Sequence, residues 1–194
     1  MPRKKPQKNK QSNTLRIIGG KWRSRKLSFI DALGLRPTPD RVRETLFNWL
    51  QGYIHDSSCL DLFAGSGILG LEALSRGAKN VTFVEKNKQV SSKLENNITL
   101  LSANATLIHN DAMSYLSNSP HSFDLIFLDP PYRQGLLKQS LEIICQPNNN
   151  LLNKNALIYL EHESEENFSW EEFGLTVLKQ TNAGQVQSYL LRRE

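Results

Sequence analysis

From residue 58 onward, short apolar segments alternate with longer segments whose apolar residues recur at helical spacing. The short segments are rich in Val, Ile, Leu and Phe. They predict buried strands at Cys59 to Phe63, Val81 to Glu85, Ala105 to His109, Leu125 to Asp129 and Ala156 to His162. The longer segments predict helices near residues 67–77, 87–102, 111–118 and 134–145. This alternation predicts an α/β fold, a doubly wound and mainly parallel sheet with helices on both faces.

Both ends of the chain follow other patterns. Leu175 to Gln180 and Val186 to Arg192 flank the turn signal Thr181-Asn182-Ala183-Gly184, which predicts an antiparallel carboxyl-terminal hairpin without a crossover helix. This hairpin would complete a seven-stranded sheet. Near the amino terminus, Leu15 to Leu27 predicts a small basic hairpin of two short strands around a glycine break, with bases alternating with apolar residues on the second strand.

A helix is predicted to begin in the segment Arg36-Pro37-Thr38-Pro39-Asp40. Thr38 can cap this helix, Pro39 fits its first turn and Asp40 suits its positive end. One face of the helix carries an apolar stripe that we expect to pack into the core. The stripe consists of Val42, Leu46, Trp49, Leu50 and Tyr53.

Length and composition limit the class of protein. A chain of 194 residues is long enough for one α/β domain with a short appendage. With 39% hydrophobic residues and no apolar run of membrane-spanning length, we expect no association with a membrane. Cys59 and Cys145 have the spacing of neither a disulfide framework nor a zinc site, which fits a reducing compartment and predicts a cytoplasmic protein.

Positive charge is concentrated near the amino terminus. Residues 1–26 hold ten Lys or Arg and no acid, whereas the remaining residues hold 14 bases and 19 acids, so +10 and −5 give the net charge of +5. This separation predicts a basic arm and hairpin over residues 1–30 that bind a polyanion, attached to a catalytic domain over residues 31–194. The composition of residues 1–12 suits a disordered tail equally well.

The candidate nucleic-acid contacts are the basic residues of the hairpin region, its tryptophan and two arginines of the predicted first helix. They are Arg16, Lys21, Trp22, Arg23, Arg25, Lys26, Arg41 and Arg43. Trp22 can stack on a nucleobase or form the core of the small hairpin, and we favour the core.

A cofactor site is predicted where the first strand of the sheet ends. The segment from Gly65 to Gly70 matches the dinucleotide fingerprint G-x-G-x-x-G, and Glu85 follows at a distance that suits a ribose contact. This pattern fits NAD and S-adenosylmethionine equally. Asp61 favours S-adenosylmethionine, because a carboxylate before the glycines would repel a pyrophosphate but attract an ammonium and a sulfonium. Its alternative role is to cap the loop.

Two further residues extend the predicted cofactor site. Asp111 and Ala112 follow the third strand and are placed to bind an adenine through a carboxylate and a backbone N–H. Asp111 suits the cap of the following helix about equally well. The complete set of predicted cofactor residues is Asp61, Phe63, Gly65, Gly67, Glu85, Asp111 and Ala112.

The reaction is indicated most clearly by Asp129-Pro130-Pro131-Tyr132 at the end of the fourth strand. The exocyclic amine of a nucleobase is a weak nucleophile because its lone pair is delocalised into the ring, so it needs hydrogen-bond acceptors. Asp129 can accept one amine hydrogen, the carbonyl of Pro130 can accept the other, and Tyr132 can stack on an extruded base. These catalytic candidates predict methyl transfer from S-adenosylmethionine to an exocyclic amine.

Other reactions fit less well. Methylation of a pyrimidine carbon would need a cysteine nucleophile, but Cys59 lies within a strand and Cys145 at a helix end. The four histidines are scattered, and we predict no metal site. The amines of guanine, adenine and cytosine all fit the corner. An NAD-dependent oxidoreductase and a non-catalytic RNA-binding assembly factor remain as alternatives from other classes.

The chain resembles the RsmD-type methyltransferases, which have the class I methyltransferase fold, from about Arg16 to Arg192. The segments that narrow the resemblance are Arg16 to Gly20, Trp22 to Leu27, Gly34 to Thr38 and Asp40 to Phe47. The turn from Asp61 to Gly67 and the Asp129 corner are shared more widely. The resemblance implies formation of N2-methylguanine in 16S ribosomal RNA, with the assembled or assembling small subunit as the partner. We also expect a monomer.

Overall fold

The computed structural model describes residues 13–30, 38–132, 134–163 and 168–193. The predicted tail over residues 1–12 and the residues Arg36 and Pro37 lie outside these ranges. The strands are β1 (Asn13–Arg16), β2 (Lys26–Phe29), β3 (Ser58–Asp61), β4 (Asn80–Val84), β5 (Ala105–Ile108), β6 (Phe123–Leu128), β7 (Leu152–Glu163), β8 (Leu175–Ala183) and β9 (Val186–Arg193). The helices are α1 (Asp40–Trp49), α2 (Ile68–Ser75), α3 (Lys88–Leu101), α4 (Ala112–Asn118) and α5 (Leu136–Ile144).

The larger sheet has seven strands in the order β5-β4-β3-β6-β7-β9-β8. Strands β3 to β7 pair in parallel, whereas β9 pairs antiparallel with both β7 and β8. This arrangement confirms the predicted class I architecture, a doubly wound sheet closed by an antiparallel hairpin. The hairpin strands run further than predicted, because Ala183 still pairs with Val186 and only Gly184 and Gln185 form the turn.

Helices cover both faces of this sheet, as predicted. One hydrophobic core contains side chains from α1, α2 and α3, and the other contains side chains from α4 and α5. Successive residues of β6 enter opposite cores, for example Ile126 and Phe127. Strands that are buried on both faces therefore appear in the sequence as continuous apolar runs. Within the described ranges, no helix has the length and apolar character needed to cross a membrane.

The amino-terminal hairpin differs from its prediction in detail. Its second strand begins at Lys26, because Gly20–Trp22 form a 3-10 turn in place of the predicted strand. Ile17 and Leu27 are buried in the core shared with α1, α2 and α3, so the hairpin is packed onto the domain. Trp22 is half-buried against the same core, which supports the packing role that the sequence favoured for it.

Helix α1 also departs from its prediction. Pro39 occupies the N-cap position, Asp40 begins the helix, and no side chain caps it, so Thr38 does not have its predicted role. The buried face contains Arg43 and Phe47, whereas Tyr53 lies beyond the helix and is 48% exposed. Leu46 and Leu50 are buried as predicted and Trp49 packs against the core, so the prediction of the stripe is wrong only for Tyr53.

Candidate active site

Four acidic residues lie along the carboxyl edge of the parallel strands. Asp61 ends β3, and the strand registers place Glu85 and Asp129 two residues beyond its partners on β4 and β6. Glu161 occupies the matching position on β7, beside Asp129. Side chains two residues apart on a strand share a face, so the four carboxylates point to the same side of the sheet. They form an acidic row that we call the carboxylate row.

A cavity of about 220 Å³ opens at this edge of the sheet. The predicted cofactor residues that line it are Asp61, Phe63, Gly65, Glu85, Asp111 and Ala112. The predicted catalytic residues Asp129, Pro130 and Tyr132 line the same cavity. The fold therefore brings two motifs that are separated by about 60 residues in the sequence to one site.

Gly67 is the predicted cofactor residue that does not line the cavity. It is the N-cap of α2 and has a φ of 74°, a conformation that favours glycine. A Cβ at this position would lie 2.3 Å from Cδ1 of Leu94. Gly67 therefore shapes the turn and lets α3 pack closely against it, and its predicted ligand contact stays a prediction.

The glycine turn and Glu85 hold each other in place. The backbone N–H of Gly65 donates to Oε2 of Glu85 at 2.9 Å, and that of Asn87 donates to Oε1 at 2.7 Å. Each carboxylate oxygen has further lone pairs, so both can still accept a hydrogen bond from a ligand hydroxyl. Because the loop fixes Glu85 before any ligand arrives, little ordering remains for binding.

Asp61 is buried beneath the same turn, and Oδ2 accepts a hydrogen bond of 3.1 Å from the backbone N–H of Gly70. Burial is the main reason that the pKa of Asp61 is raised to about 7; the Gly70 hydrogen bond opposes this shift and the charge of Glu85 adds to it. A cation bound next to this carboxyl group would stabilise its charged form and lower its pKa.

The position of Asp111 is compatible with both roles that the sequence left open, the cap of α4 and a contact with a ligand. Its Oδ1 accepts hydrogen bonds from the backbone N–H groups of Met113 and Ser114, at 3.0 and 3.2 Å, so it caps α4. The residue also lines the cavity, next to Ala112. The cap fixes this side chain where β5 leads into α4, and the second carboxylate oxygen makes no hydrogen bond among the described residues.

The corner that begins with Asp129 follows β6 directly. Burial raises the pKa of Asp129 well above its usual range, and the charges of Glu161 and Asp61 raise it further. Tyr132 is 38% exposed, whereas Pro130 is buried. A second cavity meets this corner: Pro130, Pro131 and Tyr132 line both cavities, and Glu161 lines the second. An aromatic ring on the surface beside a half-buried carboxylate suits a flat ligand that enters from solvent.

The predicted nucleic-acid residues fall into two groups. Those exposed to solvent are Arg16, Lys21, Arg23, Arg25, Lys26 and Arg41. Arg16 forms an ion pair with Asp40 at 3.0 Å, and the ammonium of Lys21 lies 4.4 Å from the centre of the Trp22 ring. The exposed bases of the hairpin provide positive charge on the surface of the domain.

Arg43 corrects the prediction, because its side chain is fully buried and cannot reach a nucleic acid. Its guanidinium pairs with Asp40 at 2.5 Å and Glu72 at 3.3 Å, and it donates to the carbonyl of Arg16 at 2.9 Å. The carboxylate of Glu72 also accepts from the backbone N–H of Ile18, at 2.9 Å. Arg43 therefore joins the hairpin to α1 and α2, and its role is structural.

Among the residues of the site that the sequence analysis missed, three come from distant parts of the chain. Phe29, at the end of β2, and Thr38 line the first cavity, so the chain segments around the hairpin and α1 reach the cofactor site. Glu161 lines the second. Only strand register and hairpin docking bring these residues to the site, and no local motif marks them. Among the described residues, no group of His, Cys, Asp or Glu is arranged to hold a metal ion.

Comparison with known proteins gives consistent results. The family model described as conserved hypothetical protein 95 matches residues 15–192. A ribosomal RNA small subunit methyltransferase D of Haemophilus influenzae is 48% identical, over 97% of this chain and 98% of that protein. The protein of the same name from Escherichia coli is 46% identical, over 94% of this chain and 92% of its own length. A solved Escherichia coli structure, the methyltransferase yhhF, superimposes with a TM-score of 0.86 at 44% identity, covering 94% of this chain and 99% of that one.

Proposed function

Because the chain belongs to the conserved hypothetical protein 95 family and is an S-adenosylmethionine-dependent methyltransferase, we propose that it methylates the N2 amine of a guanine in small-subunit ribosomal RNA. The observation that carries this proposal is the single cavity shared by the glycine turn and the Asp129 corner. A cofactor held at the glycine turn beside a flat, amine-bearing substrate would use both halves of that cavity.

The residues of the first cavity suit S-adenosylmethionine. Glu85 offers two fixed carboxylate oxygens to ribose hydroxyls, and Gly65 lets the backbone approach the ligand. Asp61 would face the positively charged end, and Asp111 with the backbone of Ala112 would hold the adenine. When bound, S-adenosylmethionine supplies an electrophilic methyl group on a positively charged sulfur.

The Asp129 corner would prepare the substrate amine. The carboxylate of Asp129 accepts one amine hydrogen and the carbonyl of Pro130 accepts the other, which turns the nitrogen lone pair toward the methyl group. The two prolines hold that carbonyl in place. Tyr132 stacks on the base and fixes its plane. No strong base is needed, because the nitrogen loses its proton after it has become positively charged.

The exposed bases of the amino-terminal hairpin would hold the RNA beside this corner. We propose residues 1–30 as the RNA-binding part and residues 31–194 as the catalytic domain, with the assembled or assembling small subunit in the cytoplasm as the substrate of a monomeric enzyme. The packing of the hairpin onto α2 fixes the position of its charges relative to the cavity.

The proposed reaction is tested by mass spectrometry of nucleosides from 16S RNA of a strain that lacks the gene. We expect N2-methylguanosine to fall by one residue per 16S molecule and to return when purified enzyme and S-adenosylmethionine are added to the subunits. Loss of N6-methyladenosine or N4-methylcytidine would assign the reaction to the alternative bases. Unchanged RNA, combined with binding of NAD in place of S-adenosylmethionine, would reject the methyltransferase.

A further inference from the structure

Glu161 is a buried acid for which the reaction described above provides no task. It stands beside Asp129 in the carboxylate row and lines the second cavity together with Pro130, Pro131 and Tyr132. Its side chain is almost completely buried. A buried carboxylate is costly unless hydrogen-bond donors surround it, so an acid retained here needs a donor.

The protein itself supplies only part of what this carboxylate needs. The hydroxyl of Tyr159 donates to Oε1 of Glu161 at 2.7 Å. Among the described residues, Oε2 receives no hydrogen bond. The Tyr159 hydroxyl thus orients the carboxylate and leaves one oxygen for a donor that enters the cavity from outside. Asp129 lines the first cavity and Glu161 the second, and the two cavities meet at Pro130, Pro131 and Tyr132.

The three amine-bearing bases differ at this neighbouring position. In guanine, the carbon that carries the exocyclic amine is bonded to N1, which bears a hydrogen and is a donor. In adenine and cytosine, the corresponding ring nitrogen beside the amine is unprotonated and is an acceptor. Neighbouring strands lie about 4.8 Å apart, so acids at adjacent strand ends can reach two adjacent donors on one base edge. Two acceptors side by side therefore match guanine alone.

We propose that Glu161 is a specificity-determining residue that accepts the N1–H of the target guanine while Asp129 accepts a hydrogen of its N2 amine. The inference rests on the proposed function, since it assumes that an amine is methylated at the Asp129 corner. It explains how the site rejects adenine and cytosine: their ring nitrogen would face a carboxylate, and two buried acceptors would be left without a donor.

The proposal is tested with small ribosomal subunits whose 16S RNA carries either guanine or 2-aminopurine at the methylated position. 2-Aminopurine keeps the 2-amine but has an unprotonated N1. We expect the wild-type enzyme to transfer labelled methyl groups to the guanine subunits with a kcat/KM at least about 100-fold higher, because a site built for a donor rejects the analogue that lacks it. Equal use of the two substrates would overturn the proposal.

Glu161→Gln identifies the residue responsible. The amide can present either its oxygen or its NH₂ group to N1, so we expect the preference for guanine to fall below about 10-fold. Tyr159→Phe removes the hydrogen bond to Glu161 but keeps the carboxylate, and it is expected to retain most of the preference for guanine. This variant therefore separates recognition of the base by Glu161 from a purely structural role of the Tyr159–Glu161 hydrogen bond. Glu95→Gln, an exposed change of charge on α3, is the control and should behave as wild type. A wild-type preference in Glu161→Gln would contradict the proposal.

One outcome separates this test from that of the proposed function. If the wild-type enzyme transfers no methyl group to guanine subunits, the proposed function itself fails.

A second variant covers the case in which Glu161→Gln does not fold. Glu161→Asp keeps the negative charge but moves it back from the base, because its side chain is one methylene shorter. That variant should lose more than about 10-fold in turnover on guanine while S-adenosylmethionine still binds. Wild-type turnover in Glu161→Asp would equally overturn the role of Glu161.

Discussion

Asp129 combines features that a residue chosen only for stability would not have. Its carboxyl is held beside two other acids, and burial together with their charges raises its pKa well above the usual range. The folded protein therefore disfavours the charged form of Asp129, and at a pH above its raised pKa this charge lowers the free energy of unfolding. Such a cost is typical of groups that are positioned for a ligand.

Asp129→Asn should therefore have opposite effects on activity and on stability. We expect kcat to fall by about 100-fold or more, because a charged acceptor for the amine is lost, while S-adenosylmethionine binds nearly as before. The melting temperature should stay the same or rise, because a neutral amide at this position never carries the charge that burial and the neighbouring acids disfavour. Single-turnover kinetics and calorimetry measure the two effects. Near-normal turnover would remove Asp129 from the mechanism.

Asp61 should make cofactor binding dependent on pH. Its pKa of about 7 in the folded protein exceeds the ordinary value of 3.8, so the folded state binds a proton that the unfolded state releases. The contribution of Asp61 to the free energy of unfolding consequently decreases as the pH rises from about 4 to about 7. A cation beside Asp61 favours its charged form, so the affinity for S-adenosylmethionine should increase with pH up to about 7 and then level off.

Calorimetry in two buffers of different ionisation enthalpy checks this prediction by counting the protons released on binding. We expect release of a proton at pH 6 and much less at pH 8. The Asp61→Asn variant should bind S-adenosylmethionine more weakly and should lose most of the pH dependence. The Glu85→Gln variant should also bind it more weakly but should keep the pH dependence. A wild-type enzyme that releases no proton at pH 6 would show that Asp61 does not face the positive charge.

At the level of single elements, helix α2 connects the glycine turn to the amino-terminal hairpin. Its amino-terminal end carries the glycine turn over the cofactor cavity, and near its other end Glu72 and Ser75 accept hydrogen bonds from the backbone of the hairpin. Eight residues of helix span about 12 Å, which sets the separation between these two ends. The hairpin is thus hydrogen-bonded to the helix that begins at the glycine turn.

Gly20 makes this docking testable. Its φ is 72°, and a Cβ there would lie 1.8 Å from the backbone oxygen of Ser75. Gly184, in the carboxyl-terminal hairpin, has a similar φ of 65° but open space around it. Gly184→Ala should cost about 1 to 2 kcal/mol from backbone conformation alone, and Gly20→Ala should cost clearly more because the hairpin must also move. Urea denaturation measures both, and equal costs would show that docking contributes nothing.

The alternation of strands and helices could be predicted because each central strand is buried on both faces and helices α1, α3 and α5 are amphipathic, whereas α2 is buried along its whole length. The Asp129 corner and the glycine turn could be predicted because their residue types and spacing are local. Arg43 and Glu161 could not, since an isolated arginine in a basic region and an isolated acid in a strand have no distinguishing neighbours. Their roles depend on hairpin docking and on the register between β6 and β7, which are long-range properties.

For the whole molecule, the separation of charge has a structural basis. The acidic groups of the site lie at the edge of the sheet, and the exposed bases lie on a hairpin that ion pairs and hydrogen bonds hold against α1 and α2. Ile17 belongs to the core of the domain and Leu15 pairs with the buried Leu27, so deletion of residues 1–26 would expose apolar surface. The contribution of the hairpin to RNA binding has to be measured by changing its charges and keeping its fold.

A variant with Lys21, Arg23, Arg25 and Lys26 replaced by Gln does this, because all four side chains are exposed. If each contacts a phosphate, the slope of log affinity for small subunits against log salt should become shallower by up to about 0.9 per lost contact on duplex-like RNA. Lys154→Gln with Lys179→Gln, two exposed lysines on β7 and β8, is the control and should leave the slope unchanged. Cofactor affinity should be the same in all three proteins. A wild-type slope in the hairpin variant would mean that these bases only keep the protein soluble.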